Sequence, residues 1–443
     1  MTQIAANHPA PAATALQDTE WDARLARIAA DKRMSKDNTT LEPGALGGVM
    51  KMFLGVGVLG LIVTLIGGFA INPYHALAAY EVGVFTALAM ALGGLFFVMV
   101  FHSLNAGWSI TLRRQFENVA WMVRWVWVMM IPIVLIEILT KGMLFDWLDP
   151  SKVAESHLLQ VKEPYLNATF FGVRFLIYGL VWITLSTKLI GWSMKADETG
   201  DRSLGRKARF WSGFGIPCFA LTTAFASFDF LMSLDYRFFS TMWGVMYFAS
   251  AALVSTAVVT LIASRLLARG KLVGLVHEEH FHDLGKLMFT FTVFWGYIGF
   301  SQYFLIWYSN IPEETAWYLF RQQNGWQWLF VVMTIGHFVV PFLMLVWRKT
   351  KRSPKLLSMV AIYVIIITAF DMVWIIRPMA YLNAGPDAVD PGFASWNVFL
   401  DIAGVVGVLG IFGAILTWKI GRSNLLPIKD PMLHEAMSHK NYV

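Results

Sequence analysis

Charge is what this chain has least of. Only 14% of its 443 residues are Asp, Glu, Lys or Arg, where an average soluble domain carries about 25%. That shortage excludes a solvated globular enzyme, a disordered chain and a nucleic-acid-binding domain. The net charge of +6 does not restore the last of these, because where the charges sit matters more than their sum. Cysteine is almost missing too. Cys218 stands alone in an apolar run, which excludes an internal disulfide and an iron–sulfur cluster, since such clusters need several thiolates. No CxxCH occurs, so covalently attached haem is not expected, and no GxxxxGK[ST] phosphate loop is present.

What is plentiful is apolar sequence. Hydrophobic residues make up 57% of the chain and 19 Trp are present, as expected for side chains stationed at two membrane–water boundaries. A helix needs about 20 predominantly apolar residues to cross a bilayer. Ten such stretches recur, near 49–71, 81–104, 121–141, 167–188, 211–232, 239–264, 286–308, 326–347, 356–376 and 396–418. The expected fold class is therefore an all-α polytopic membrane protein of about ten transmembrane helices. It divides into a polar N-terminal tail (1–48), a ten-span domain (49–420) and a C-terminal tail (421–443). The N-terminal tail has no early apolar core, so no cleavable signal peptide is expected. Trp21, Leu25 and Ile28 share one helical face there, which suits a helix on the membrane surface as well as a solvated tail.

Lys and Arg set the orientation. Of the 35, 28 fall in the two tails and the even-numbered connections, six in the odd-numbered ones, and Arg174 inside a span. The positive-inside rule then places both termini in the cytoplasm, which an even number of spans also requires. The outer connections 142–166 and 377–395 are long, acidic-leaning and rich in Pro, Gly and Trp, as suits an external partner.

A charge at the centre of a membrane helix costs about 2.5–3.5 kcal/mol on insertion scales, so it persists where it is paired, hydrated or useful. Glu137 falls about one turn below the outer face and Arg174 about two, at a rise of about 1.5 Å per residue. Asp229 and Asp371 also fall in the outer third, and Glu81 and Asp401 still nearer the boundary. Carboxylates gathered there suit a proton exit route or a quinol site that releases protons outward, with Arg174 holding one of them ionised. Glu137 and Lys141 are spaced as an i, i+4 pair, and Arg174 on the next helix competes for the same carboxylate. The alternative is static helix–helix ion pairing. Phe228–Asp229 and Phe370–Asp371 occupy like positions if spans 2–5 and 6–9 form two like-oriented four-helix bundles.

Two histidines lie within spans, His337 midway and His102 near the inner end. Their depths differ, which does not suit a pair of haem ligands; His337 suits a proton relay or a structural hydrogen bond. On span 7, Tyr297, Ser301 and Tyr308 project to one face, which suits either a quinone head group or ordinary aromatic packing. The run His277–Asp283 is not HExxH, and a solvated loop is expected of it. Pairs such as Gly67–Gly68 and Gly93–Gly94 read as close helix packing.

Two stretches bear a resemblance to a known family: SFDFLMSLDYRFFSTMWG (227–244) and HDLGKLMFTFTVFWGYIGFSQYFLIWYSNIPEET (282–315). With ten spans and a polar N-terminal tail, they resemble the NrfD/polysulfide-reductase-C-type membrane subunits of alternative complex III, the bacterial quinol:cytochrome c oxidoreductase. The WYSNIPEET run resembles the shorter, ActF-type subunit. The resemblance covers about 49–420 and leaves out the N-terminal tail. It implies two four-helix bundles with flanking helices, in the bacterial cytoplasmic membrane of a respiratory or photosynthetic chain. It implies a homologous ten-span partner, with haem and iron–sulfur clusters carried only by periplasmic partner subunits. It also implies a quinone-type pocket or a proton pathway here, but transfers no catalytic residue. The candidates therefore remain Glu137, Arg174, Asp229, His337 and Asp371 for the proton path, and Tyr297, Ser301 and Tyr308 for a quinone pocket. Two other readings stand beside this one. A structural subunit would rely on its outer loops. A secondary transporter would have helices broken at the midplane, whereas midspan prolines are few (Pro132, Pro217, Pro341) and the charges sit off-centre.

Overall fold

Hydrocarbon offers no partner to a backbone amide, so apolar runs of this length must satisfy their hydrogen bonds internally and coil into helices. The computed structural model describes residues 10–382, 392 and 397–441, with the backbone alone for 10–19 and 382. Among the described residues there is no strand, and nine helices are long and apolar enough to cross a membrane. After an N-terminal helix α1 (Ala10–Ala30) come α2 (Gly47–Ala70), α3 (Pro73–Ser103), α4 (Gly107–Thr140), α5 (Ala168–Thr199) and α6 (Arg202–Met232). Then follow α7 (Trp243–Ala268), α8 (Glu278–Ser309), the short α9 (Pro312–Phe320), α10 (Trp326–Val346), α11 (Pro354–Leu382) and α12 (Val398–Ile420).

The tenth expected span falls on α8. Its 32 residues give it the length to cross; Trp, Tyr, Gln and Ser lower its mean hydropathy below that of the other nine. Hydrogen bonding shows why it must traverse the bundle. Leu425 N–H donates to the carbonyl of Thr39 (2.9 Å), and Leu272 N–H to that of Asn38 (3.0 Å). The N-terminal tail, the α7–α8 connection and the C-terminal tail thus meet at one end of the molecule, the end that also carries most of the Lys and Arg. Both tails reach it only if α8 makes a full pass.

Helices α3 to α6 form one four-helix bundle, and α7, α8, α10 and α11 a second. They join where α3 packs on α7 and α11, and α3 and α7 are the most deeply buried of the spans. Helices α2 and α12 flank the pair. These two approach backbone to backbone: a Cβ on Gly60 would lie 2.7 Å from Gly407 Cα, so small residues set the crossing.

Three boundaries differ from the hydropathy reading. Helix α3 starts at Pro73, where the Asn72 side chain accepts from His75 N–H and proline's missing donor costs nothing. In α4 the helix begins at Ile110, well before the apolar run, and its first turns are buried although they read ITLRRQFENVAW. Arg114 contacts Glu117 at 2.7 Å and Asp197 at 2.6 Å, and Gln115 donates to Leu425 O at 2.7 Å. Polar groups so paired are invisible to a hydropathy window. In the N-terminal tail, α1 lies against the protein: Ile28 is buried in the core, and the Arg202 guanidinium stacks 4.5 Å from the Trp21 ring.

Candidate functional site

The two bundles hold equivalent acids in opposite surroundings. In the first, a five-residue π-turn (Phe228–Met232) on α6 carries Asp229 inward; such turns often mark functional positions. Asp229 is fully buried and saturated. It accepts from Arg174 Nε (2.8 Å) and Nη2 (3.0 Å), Tyr178 OH (2.6 Å) and Tyr165 OH (2.9 Å). The Arg174 guanidinium also sits 3.8 Å over the Tyr165 ring. Burial and the facing Asp229 carboxylate push the Tyr165 phenol well above its ordinary pKa, so it acts as a donor.

Glu137 does not join them. Neither Lys141 nor Arg174 pairs with it among the described residues. Its carboxylate instead accepts from the backbone N–H of Leu144 (2.9 and 3.1 Å) and Phe145 (3.2 Å), tying down the turn where α4 ends. Lys141 takes a left-handed conformation at that end and points outward, so i, i+4 spacing no longer brings it to Glu137. Glu81 on α3, which the sequence places near the outer boundary, is completely buried, and neither carboxylate oxygen is hydrogen-bonded among the described residues.

In the second bundle each helix contributes one side chain to a single cluster. Asp371 (α11) accepts through Oδ2 from Ser250 Oγ of α7 and from Trp295 Nε1 of α8, each at 3.2 Å. His337 (α10) places Nδ1 3.8 Å from the same oxygen, and its ring centroid is 3.9 Å from that of Trp295. His337 lies in the other π-turn, Thr334–Val339. Neither of its ring nitrogens is hydrogen-bonded, nor is Asp371 Oδ1. A cavity of about 10 Å³ adjoins, lined in part by Ser250, Asp371, Tyr247 and Trp243, enough for about one water. The repeat suggested by Phe228–Asp229 and Phe370–Asp371 thus relates two acids on the fourth helix of each bundle.

The candidate quinone residues lie on the outer surface of the second bundle. Tyr297 and Tyr308 are largely exposed and Ser301 only half-buried, on the outer surface of α8; its inner face carries Trp295, Ile298, Gln302 and Ile306. The three residues share a face, and it points away from the bundle interior. Asp401 likewise sits in a buried set that the sequence did not assemble: His75 Nε2 lies 3.1 Å and Arg377 Nε 2.8 Å from its Oδ1, and Tyr381 OH is 3.0 Å from His75 Nδ1. The outer connection 377–395 lies largely outside the described residues.

At the Lys/Arg-rich end, the run 277–283 is part of α8 and not a solvated loop. His277 and His280 cap its first turn, and His280, Phe281, His282 and Asp283 are buried. His439 of the C-terminal tail lies 2.6 Å from Asp283. Burial, reinforced by neighbouring histidines, holds the His280 pKa down to about 3. Among the described residues no group of three or more His, Cys, Asp or Glu is placed to hold a metal. His102 lines a separate cavity at this end, far from His337 in depth.

No protein-family model matches the chain, and no curated protein matches it.

Proposed function

We propose that this chain is the non-metal membrane subunit of a quinol:acceptor oxidoreductase of the alternative complex III type, and that it conducts protons through the half of the membrane opposite its Lys/Arg-rich end. The observation that carries the reading is the Ser250–Trp295–His337–Asp371 cluster. An acid deep in a helix bundle is costly. Asp229 and Glu137 are offset by full sets of donors; Asp371 has two long hydrogen bonds, a free oxygen and an imidazole with both nitrogens free. A proton taken by Asp371 Oδ1 passes to His337 through a short reorientation or one water. Ser250 and Trp295 hold the carboxylate by its other oxygen while this happens. Glu81 is the corresponding free acid of the first bundle.

Quinol oxidation releases two protons and two electrons. The electrons leave for redox groups on partner subunits, and this chain's part is the protons. Because Tyr297 and Tyr308 face outward, a quinone meets them from the bilayer or from the surface of the homologous subunit, not inside this bundle. A structural anchoring role is favoured for saturated sets such as Arg174–Asp229–Tyr178.

The test uses the assembled complex. Asp371→Asn and His337→Gln are expected to lower quinol-driven turnover by about 100-fold or more, the usual scale of a lost proton-transfer group, with assembly intact; Asp371→Glu retains part of the activity. Unchanged turnover in both variants removes the proton role and leaves the anchoring one.

A further inference from the structure

A cavity of about 490 Å³ opens at the Lys/Arg-rich end, between the ends of α3 and α5, the start of α6, helix α1 and the C-terminal tail. Four acids line it, and each is already engaged. Glu20 pairs with Arg24 at 2.6 Å, Asp197 with Arg114 at 2.6 Å, and Asp430 with Arg113 at 2.8 Å, while Asp201 caps α6 through Ser203 N–H at 2.8 Å. Arg206 and Arg209 line the same cavity, are exposed, and have no carboxylate within 4 Å among the described residues. The potential left over is therefore positive.

The neighbouring surface is that of a membrane boundary. Trp192 and Trp211 meet edge to face at 6.0 Å between centroids, and Lys188 Nζ lies 4.8 Å over the Trp211 ring. Beyond Arg206 and Arg209, the outward side of α6 continues with Phe210 (74% exposed), Phe214 (63%) and Leu221 (61%). Cations at the rim of a cavity, tryptophans at headgroup depth and a bare apolar stripe leading into the hydrocarbon match the three parts of one molecule. A soluble anion would use the first part only.

From this geometry we propose that the cavity binds the phosphodiester headgroup of an anionic glycerophospholipid of the same leaflet. Arg206 and Arg209 contact the phosphate, and the acyl chains lie along Phe210 and Phe214. Arg–phosphate contacts are charge-assisted and geometrically matched, and basic pockets between membrane helices are known lipid sites. The inference does not depend on the proton role.

The probe is phosphatidylglycerol. The full chain is reconstituted in phosphatidylcholine bilayers doped with it, re-extracted in mild detergent, and the co-purifying lipid measured. The wild type is expected to retain phosphatidylglycerol over phosphatidylcholine by about tenfold or more, and R206Q/R209Q to lose that preference. R206K/R209K recovers part of it, which separates lost charge from lost folding. Equal retention by wild type and R206Q/R209Q overturns the proposal. Displacement of the lipid by inorganic phosphate also overturns it, by showing a soluble-anion site.

Discussion

Asp229 and Asp371 show how little a residue type says about its work. Both are buried acids on the last helix of a four-helix bundle. Asp229 receives four hydrogen bonds, two of them from a guanidinium; Asp371 receives two, both at 3.2 Å. Removing one partner of a buried ion pair strands the other, at a cost of about 3–5 kcal/mol. Arg174→Gln is therefore expected to lower thermal stability markedly. Asp371→Asn keeps shape and acceptor while removing an ionisable group, so it is expected to leave stability within about 1 kcal/mol. Thermal unfolding of the two variants in detergent tests this; equal destabilisation contradicts the division between structural and working acids. The sequence made the presence and approximate depth of these charges legible, because hydrocarbon makes any charge conspicuous. It did not make their partners legible. Arg174 meets Asp229, 55 positions away, whereas the near neighbour Lys141 leaves Glu137 because a left-handed helix end turns it outward. Tyr165 and Tyr178 carried no signal at all, being two tyrosines among many.

At the scale of elements, hydropathy located each helix where packing faces lipid and missed where polarity is buried. The opening turns of α4 have Arg113, Arg114, Gln115, Glu117 and Asn118 inside the protein, matched by the end of α5 and the C-terminal tail. Paired charges of this kind read as loop from sequence. Helix α8 was recognisable by its aromatic residues, but the sequence did not show that Tyr297 and Tyr308 face outward while Trp295, Ile298, Gln302 and Ile306 face the bundle. The crossing of α2 and α12 was foreshadowed by glycine content: Gly67, of the Gly67–Gly68 pair singled out in the sequence, is buried on α2 against Leu400 of α12. A Cβ on Gly407 would lie 2.8 Å from Leu61 N, whereas one on Gly55 meets nothing within 4 Å. Gly407→Leu is thus expected to destabilise by about 1–3 kcal/mol through overpacking, and Gly55→Leu to have little effect. Equal melting temperatures for the two variants contradict a glycine-set crossing.

For the whole molecule, the hydrogen bonds joining residues 38–39, 272 and 425 bring both tails to one end, as nine candidate spans plus α8 among the described residues require, and the same contacts make that end a clamp. Its acid response has a definite sign. His280 is held near 3 by burial, while an unfolded histidine titrates near 6.5. Between those values the unfolded state binds more protons, so the clamp weakens as pH falls from about 6.5 toward 3. Amide exchange over 433–441 should rise on acidification and lose part of that dependence in His280→Gln; an unchanged profile contradicts it.

Proton exit through the second bundle is the central claim about this chain. The direct measurement is the number of protons released, per pair of electrons taken from quinol, on the side opposite the Lys/Arg-rich end, by the complex in sealed proteoliposomes. Asp371→Asn is predicted to lower that number, or the rate of release, relative to wild type with the complex intact. Identical stoichiometry and rate would contradict the account.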